Sequence, residues 1–177
     1  MKRILVLTEV ELPSDFPGGQ IEHYLGDLAR VEMRMTDFEG LKSQFRDVRR
    51  GGQIRADALL DYLEPRVRGG YEGFDKIVLV INDDGYVEGG LNFVFGVAKI
   101  GGALALVFTK RLRGGEQSLY HLRILKEVLH ELGHSFGLDH CTDPKCVMYF
   151  SNTIEDTDRK GPGYCQRCMA RLRSLLR

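Results

Sequence analysis

The sequence has no excess of charge of either sign and no long apolar run. Its 25 basic residues are balanced by 25 acidic residues, so the formal net charge is zero. Surfaces that bind nucleic acids or membranes normally carry a basic excess, and a membrane-spanning helix needs about 20 consecutive apolar residues. The composition therefore argues against both a nucleic acid and a membrane as the partner of this protein.

We do not expect the first residues to form a secretory signal sequence. Two basic residues precede an apolar stretch at residues 4–7, but Thr8 and Glu9 interrupt it before it reaches the length of a signal-peptide core. We therefore expect a cytoplasmic protein, whose cysteines stay reduced. With 177 residues, of which 43% are hydrophobic and 28% charged, we expect one domain over residues 1–177.

Histidine is scarce, but three of the five histidines fall within residues 130–140. Because residues four apart share one face of a helix, His130 and His134 can present their rings to one metal ion. Gly137 can enter the left-handed conformation that ends a helix, and the turn would bring His140 to the same ion. Three histidines leave one corner of a zinc tetrahedron open, which is typical of a catalytic site. The other two, His23 and His121, have no such spacing.

Glu131 follows the first of these histidines and can reach a metal-bound water without becoming a ligand. We therefore predict a zinc peptidase in which Glu131 is the general base for hydrolysis of a peptide or protein substrate. Apolar neighbours such as Leu132 and Phe136 would raise the pKa of its carboxyl group. The alternative is a zinc-stabilised interaction module without catalysis, but a structural site has no use for this carboxylate.

All four cysteines lie between residues 141 and 168, as the pairs Cys141 with Cys146 and Cys165 with Cys168. Two closely spaced pairs are typical of a structural zinc bound by four thiolates. Two disulfides, a thiol redox motif at residues 165–168 and four unrelated buried thiols are the alternatives. A zinc-ribbon-like nucleic-acid binder is a further one, which the neutral charge and the adjacency of Cys141 to His140 oppose. We predict two zinc ions in the chain, one catalytic and one structural.

Strand and helix patterns alternate along the chain. Strands are predicted at residues 3–10, 31–35, 75–81, 93–98 and 103–109, and a short helix or turn at residues 21–29. An amphipathic helix is predicted at residues 54–67. A second long helix carries the histidine motif, beginning with Ser118 as its N-cap and ending at Gly137, with a buried stripe formed by Leu122, Leu125, Val128, Leu129 and Leu132. This alternation predicts an α/β sandwich with a mostly parallel sheet.

The run from His130 to Cys141, then Cys146 and Met148, and finally Cys165 and Cys168 resembles the archaemetzincins, a branch of the metzincin zinc peptidases. The resemblance implies that Met148 is the methionine of the turn beneath the catalytic zinc, and that a zinc-braced lobe spans residues 141–177. It also implies a three-layer sandwich with a twisted sheet, an antiparallel edge strand and a long zinc-binding helix.

Two details of the substrate cleft follow from this resemblance. We expect the edge strand to be the one at residues 103–109, where an extended peptide could add to the sheet; the alternative is that this stretch is a core strand. Some other metzincins carry a tyrosine two places after the turn methionine, but here Phe150 occupies that place and Tyr149 is adjacent to Met148. The polar groups on the turn that are candidates for stabilising the oxyanion of the reaction are Tyr149, Ser151 and Asn152.

Overall fold

The continuous apolar run at residues 77–81 becomes the central strand of the main sheet. The computed structural model describes all 177 residues. Its strands are β1 (Lys2–Thr8), β2 (Ala29–Met35), β3 (Arg46–Asp47), β4 (Gln53–Arg55), β5 (Lys76–Ile81), β6 (Gly85–Tyr86), β7 (Gly96–Ala98) and β8 (Leu104–Phe108). Its helices are α1 (Glu22–Leu25), α2 (Glu39–Lys42), α3 (Ala56–Val67), α4 (Gln117–Phe136), α5 (Ile154–Arg159) and α6 (Gln166–Leu175).

The main sheet has the strand order β2, β1, β5, β8, β7. The strands β2, β1, β5 and β8 all run parallel to one another, whereas the edge strand β7 runs antiparallel to β8. Helix α3 covers one face together with a first apolar cluster, and α4 covers the other face together with a second one. The predicted α/β class, the mostly parallel sheet and the layered architecture are confirmed. The small sheet β3, β4, β6 was not predicted.

The prediction for the edge strand is wrong. Strand β8, within the predicted stretch 103–109, is hydrogen-bonded to β5 on one side and to β7 on the other, and all five of its residues are buried. Its unbroken apolar sequence is typical of an interior parallel strand. The antiparallel edge is instead β7, which occupies only the end of the strand predicted at residues 93–98.

Helix α4 runs close to its predicted bounds. It ends at Phe136, and Gly137 follows with φ of 108° while its N–H donates to the carbonyls of Gly133 and His134, as the helix-ending role of this glycine predicts. Two details of the prediction are wrong. Glu116 rather than Ser118 occupies the N-cap position, and Leu122 is 37% exposed because it lies outside the face that packs on the sheet.

The first long helix begins later than predicted. Ile54 belongs to β4, where it pairs with Arg46 of β3, and α3 begins at Ala56. The apolar spacing of residues 54–67 includes Ile54 because that residue packs into the same cluster as the helix. No helix is long and apolar enough to cross a membrane.

The segment after α4 packs back against α4 itself. Cys141, Cys146, Cys168 and Leu172 belong to the same apolar cluster as the buried face of α4. The N–H of Val147 donates to the carbonyl of Gly163 at 2.9 Å, which joins the stretch after Cys146 to the stretch before Cys165. These contacts place the two predicted metal sites next to each other.

Candidate metal centres and active-site cleft

The three histidines of the motif converge. Helix α4 places His130 and His134 on one face, and the turn after Gly137 returns His140 to them, so that the ligand nitrogens of all three lie within 4.8 Å of one another. The Nε2 atoms of His130 and His134 are 3.1 Å apart. Two nitrogens on a tetrahedral zinc with Zn–N distances of about 2.0–2.1 Å lie about 3.3 Å apart. The histidine cluster therefore fits a single zinc ion.

Backbone carbonyls orient two of the three rings. Nδ1 of His130 lies 2.7 Å from the carbonyl oxygen of Val147, and Nδ1 of His134 lies 2.8 Å from that of Leu138. Because a carbonyl oxygen only accepts, each Nδ1 carries the proton, and each Nε2 is left with the lone pair that a metal needs. Burial lowers the pKa of both imidazoles, that of His130 most strongly. Both rings are therefore neutral, with a lone pair on Nε2 that can bind a metal.

Met148 packs against the helix that carries His130 and His134. It is fully buried, and a methyl group added at Gly133, on the inner face of α4, would overlap its sulfur. The carbonyl of Met148 accepts a hydrogen bond from the N–H of Cys141, the residue after the third histidine, at 2.9 Å. The turn around Met148 thus contacts both α4 and the segment that carries His140.

The carboxylate of Glu131 lies between α4 and the edge strand β7. Glu131 is 4% exposed and packs against Gly96. Burial raises the pKa of its carboxyl group well above the usual range, and the carboxylate of Glu127 raises it further, while the ammonium of Lys160 acts in the opposite direction. The raised pKa has the direction expected of a carboxyl group in apolar surroundings.

A cleft with a volume of about 200 Å³ opens over Glu131 and the three histidines. Of the polar groups considered on the turn, Ser151 and Asn152 line it and Tyr149 does not. The Phe150 ring lies 5.1 Å from that of His140. The remaining lining residues come from the β7 region and α4: Leu91, Phe93, Val94, Phe95, Gly96, Val97, Ala98 and Glu127.

Two charged residues next to this cleft were missed by the sequence analysis. Glu127 lies one helical turn before Glu131, and Lys160 follows α5; the Nζ of Lys160 is 3.3 Å from the Oε1 of Glu127. Helical spacing alone could have placed Glu127 on the face of Glu131. Nothing in the sequence marks Lys160, which lies in the gap between the two cysteine pairs.

The four cysteines form the second cluster. All four are free thiols, and their sulfurs lie within 4.8 Å of one another. The sulfurs of Cys141 and Cys165 are 3.8 Å apart, too far for a disulfide and close to the roughly 3.8 Å that separates two sulfurs on a tetrahedral zinc with Zn–S distances of about 2.3 Å. The cluster therefore fits a four-thiolate zinc site better than two disulfides.

Hydrogen bonds in the same lobe already favour one thiolate. Burial acts to raise the pKa of Cys141, but the N–H of Asp143 and the guanidinium of Arg167, each within 3.4 Å of its sulfur, outweigh it and lower the pKa to about 7. Burial raises the pKa values of Cys146 and Cys168. A cation among the sulfurs would offset this cost of burying charge.

Comparison with known proteins agrees with this geometry. The profile of peptidase family M54 matches residues 32–174. Archaemetzincin from Aeropyrum pernix is 46% identical over 64% of this chain, but the matched region spans only 57% of that relative. Archaemetzincin from Methanopyrus kandleri is 40% identical over 89% of this chain and 84% of its own length. The crystal structure of a Methanopyrus kandleri archaemetzincin superposes with a TM-score of 0.82 at 35% identity, covering 99% of this chain and 95% of that one.

Proposed function

Since the chain belongs to the archaemetzincins, the zinc-dependent metallopeptidases of family M54, we propose that it hydrolyses peptide bonds with His130, His134 and His140 as zinc ligands and Glu131 as the general base. The observation that supports this assignment most directly is the position of Glu131. Its buried carboxylate lines the same cleft as the three converging imidazoles, without belonging to their ligand cluster.

The residues of the cleft divide the chemistry between them. When bound, zinc lowers the pKa of a coordinated water toward about 7 and polarises the substrate carbonyl. Glu131 accepts the proton of the attacking water and passes it to the leaving amine. The carbonyls of Val147 and Leu138 keep the two helix histidines in one tautomer throughout.

The substrate would bind along β7. The N–H of Phe108 donates to the carbonyl of Phe95 at 2.8 Å, and hydrogen-bonded pairs alternate along an antiparallel ladder. By this alternation Val97 also faces β8, and the backbone groups of Gly96 and Ala98 face away from it, toward the open side of the sheet. An extended peptide that pairs with these two residues would form a sixth strand. Its backbone would then run beside Glu131, which packs on Gly96.

The four cysteines would hold a second, structural zinc, which gives two zinc ions per chain and makes residues 141–177 a metal-braced lobe of a single catalytic domain. Cys141 directly follows the catalytic ligand His140, and its N–H is bonded to the carbonyl of Met148. Fixing Cys141 on a metal therefore fixes the segment that presents His140. Thiolate ligands require reduced cysteines, which supports the proposed cytoplasmic location.

Two variants separate the roles of base and ligand. Glu131→Gln keeps the size of the side chain but cannot accept a proton, so we expect full zinc content, unchanged melting and peptide hydrolysis slower by about a hundredfold or more. His134→Ala removes a ligand and should lose one zinc together with the activity. Zinc content by elemental analysis and cleavage of a peptide library measure both effects.

Glu155→Gln is the matched control, because Glu155 is exposed on α5 and undergoes the same chemical change away from the cleft. It should cleave the library like the parent. A Glu131→Gln variant that is as active as the parent, beside an inactive His134→Ala variant, would remove the general base from the proposal. A parent protein that binds zinc but cleaves no peptide would instead favour a zinc-stabilised interaction module.

A further inference from the structure

Lys160 is one of the most deeply buried charged residues of the protein. It is 1% exposed, and it follows α5 in the segment that joins the two cysteine pairs. Its Nζ lies 3.3 Å from Oε1 of Glu127, 3.4 Å from the carbonyl oxygen of Tyr149 and 3.5 Å from Nδ1 of His130. Removing an ammonium group from water costs several kcal/mol unless it is paired, so a buried lysine at this place needs an explanation.

The partner of this lysine is a second carboxylate of the catalytic cleft. Glu127 is 3% exposed and lines the cleft together with Glu131 and the three histidines. The hydroxyl of Thr157 donates to its Oε1 at 3.1 Å, so Lys160 and Thr157 bind the same oxygen from the α5 side. Glu127 is not part of the ligand cluster formed by the histidines. The structure thus holds a second carboxylate in the cleft that does not belong to the histidine cluster.

Lys160 also contacts the turn around Met148. Tyr149, whose carbonyl it binds, directly follows Met148, and the Nδ1 of His130 beside it already donates to Val147 of the same turn. The ammonium therefore joins three elements: the catalytic helix α4 through Glu127, the turn through Tyr149, and the segment after α5 that carries Lys160 itself. No other cation contacts both the helix and this turn.

We propose that Lys160 is a positioning residue of the catalytic centre, which holds the carboxylate of Glu127 away from the open coordination position and ties the turn after Met148 to the catalytic helix. This inference rests on the proposed assignment of the three histidines to the catalytic zinc. Carboxylate oxygen is a common zinc ligand, and an unpaired buried carboxylate seeks a cation. Without Lys160, the metal would be the cation available to Glu127, and a fourth protein ligand would displace the water that Glu131 must deprotonate.

The test compares Lys160→Met with the double variant Lys160→Met/Glu127→Gln. Cobalt introduced at the histidine site, with zinc kept at the cysteine site, reports the coordination of the catalytic metal through its visible absorption. We expect Lys160→Met to change this spectrum and to lower kcat by about ten- to a hundredfold, the usual effect of losing a residue that orients metal ligands. KM should stay near the parental value. The double variant should recover the parental spectrum and much of the kcat, because no carboxylate is left to bind the metal.

Lys126→Met is the matched control. Lys126 is also buried and also joins α4 to α5, through the carbonyls of Thr157 and Asp158, but it contacts neither Glu127 nor the turn. It should melt at a lower temperature with an unchanged cobalt spectrum and kcat. If Lys160→Met fails to fold, Lys160→Gln, which is polar but uncharged, takes its place and should show the altered spectrum and the lowered kcat, whereas Lys160→Arg, which keeps the charge, should show the parental spectrum; a parental spectrum in Lys160→Gln would overturn the proposal.

The outcomes are distinct. A parental spectrum and kcat in Lys160→Met would overturn the proposal, as would a double variant whose spectrum and kcat are as altered as those of the single variant. A His134→Ala protein with an unaltered cobalt spectrum would instead refute the histidine assignment, whatever Lys160 does.

Discussion

The carboxylate of Glu131 lies directly against the backbone of Gly96 on the edge strand. A methyl group added at Gly96 would lie 2.6 Å from Oε1 of Glu131 and 2.8 Å from the carbonyl oxygen of Leu106 on β8. Contacts this short do not occur between real atoms of these types, so a side chain at position 96 would move either the strand or the carboxylate. The absence of a side chain at Gly96 allows the proposed base and the proposed peptide-binding strand to be neighbours.

We predict that Gly96→Ala lowers kcat/KM by about a hundredfold, because a misplacement of about 1 Å in a catalytic site can cost that much. The zinc content should not change, since no ligand is touched. Gly40→Ala is the control, because a methyl group there meets nothing within 4 Å. Full activity of the Gly96→Ala protein would show that Glu131 does not need its observed position.

The acid stability of the metal-free protein should reflect its buried histidines. Burial lowers the pKa values of His130 and His134, so both stay neutral in the folded state and take up protons on unfolding below about pH 6.5. The unfolded state then binds more protons, and the free energy of unfolding falls as the pH falls, by up to about 1.4 kcal/mol per pH unit for each histidine. Urea unfolding of metal-free protein between pH 7.5 and 5 measures this slope.

Glu131 acts in the opposite direction and provides the internal check. Burial raises its pKa, so its contribution to stability is fully present below about pH 4.3, the unfolded value, and is lost as the pH rises through the folded value. In the metal-free parent it therefore partly offsets the histidines in acid. Metal-free Glu131→Gln should lose stability more steeply than the parent over the same range. Equal slopes would contradict the raised pKa of Glu131.

The two candidate metal clusters were predictable from the sequence because their residues are close together along the chain. His130, His134 and Gly137 are related by helix geometry alone, and the cysteine pairs by short spacing, so no knowledge of the tertiary fold was needed. Lys160 and Gly96, by contrast, reach the site only through contacts between distant segments. Lys160 is 30 residues from His130 along the chain, and Gly96 is 35 residues from Glu131.

The edge strand was misplaced for a related reason. The apolar sequences of β5 and β8 both indicate buried strands, but the pattern of one strand does not tell which strands flank it. Strand β7 has only three residues, all partly exposed, and this weak pattern hides the edge that borders the cleft. The order of strands is set by packing on α3 and α4, which a single sequence does not display.

Purified protein should hold two zinc ions that differ in lability. The proposed histidine site has an open position and its third proposed ligand, His140, is exposed, whereas three of the four cysteines are buried. A chelator should therefore remove one zinc first, together with the activity, and the second later or not at all. Elemental analysis at intervals during dialysis against the chelator follows both ions. A single zinc at the start, or loss of both at one rate, would contradict two independent sites.

Cys168→Ser should lose the second zinc and with it much of the stability of the C-terminal lobe. Cys168 is buried in the cluster that joins α6 to α4. Burial raises the pKa of its thiol, so without a metal ion the sulfur of Cys168 stays protonated. Metal-binding free energy at such a site is folding free energy. We therefore expect the variant to bind one zinc and to melt at a lower temperature, even with the catalytic zinc in place.

The loss of stability caused by losing the zinc can be distinguished from the loss caused by removing a buried sulfur from the core. If the cysteines hold zinc, the melting temperature of the parent should fall when both metals are removed, and metal-free parent and metal-free Cys168→Ser should then melt at similar temperatures. The difference between the two proteins should reappear when zinc is restored, because only the parent can rebuild the four-thiolate site. A difference that persists without metal would assign the effect to packing in the core, and equal melting with zinc present would show that these thiols do not brace the fold.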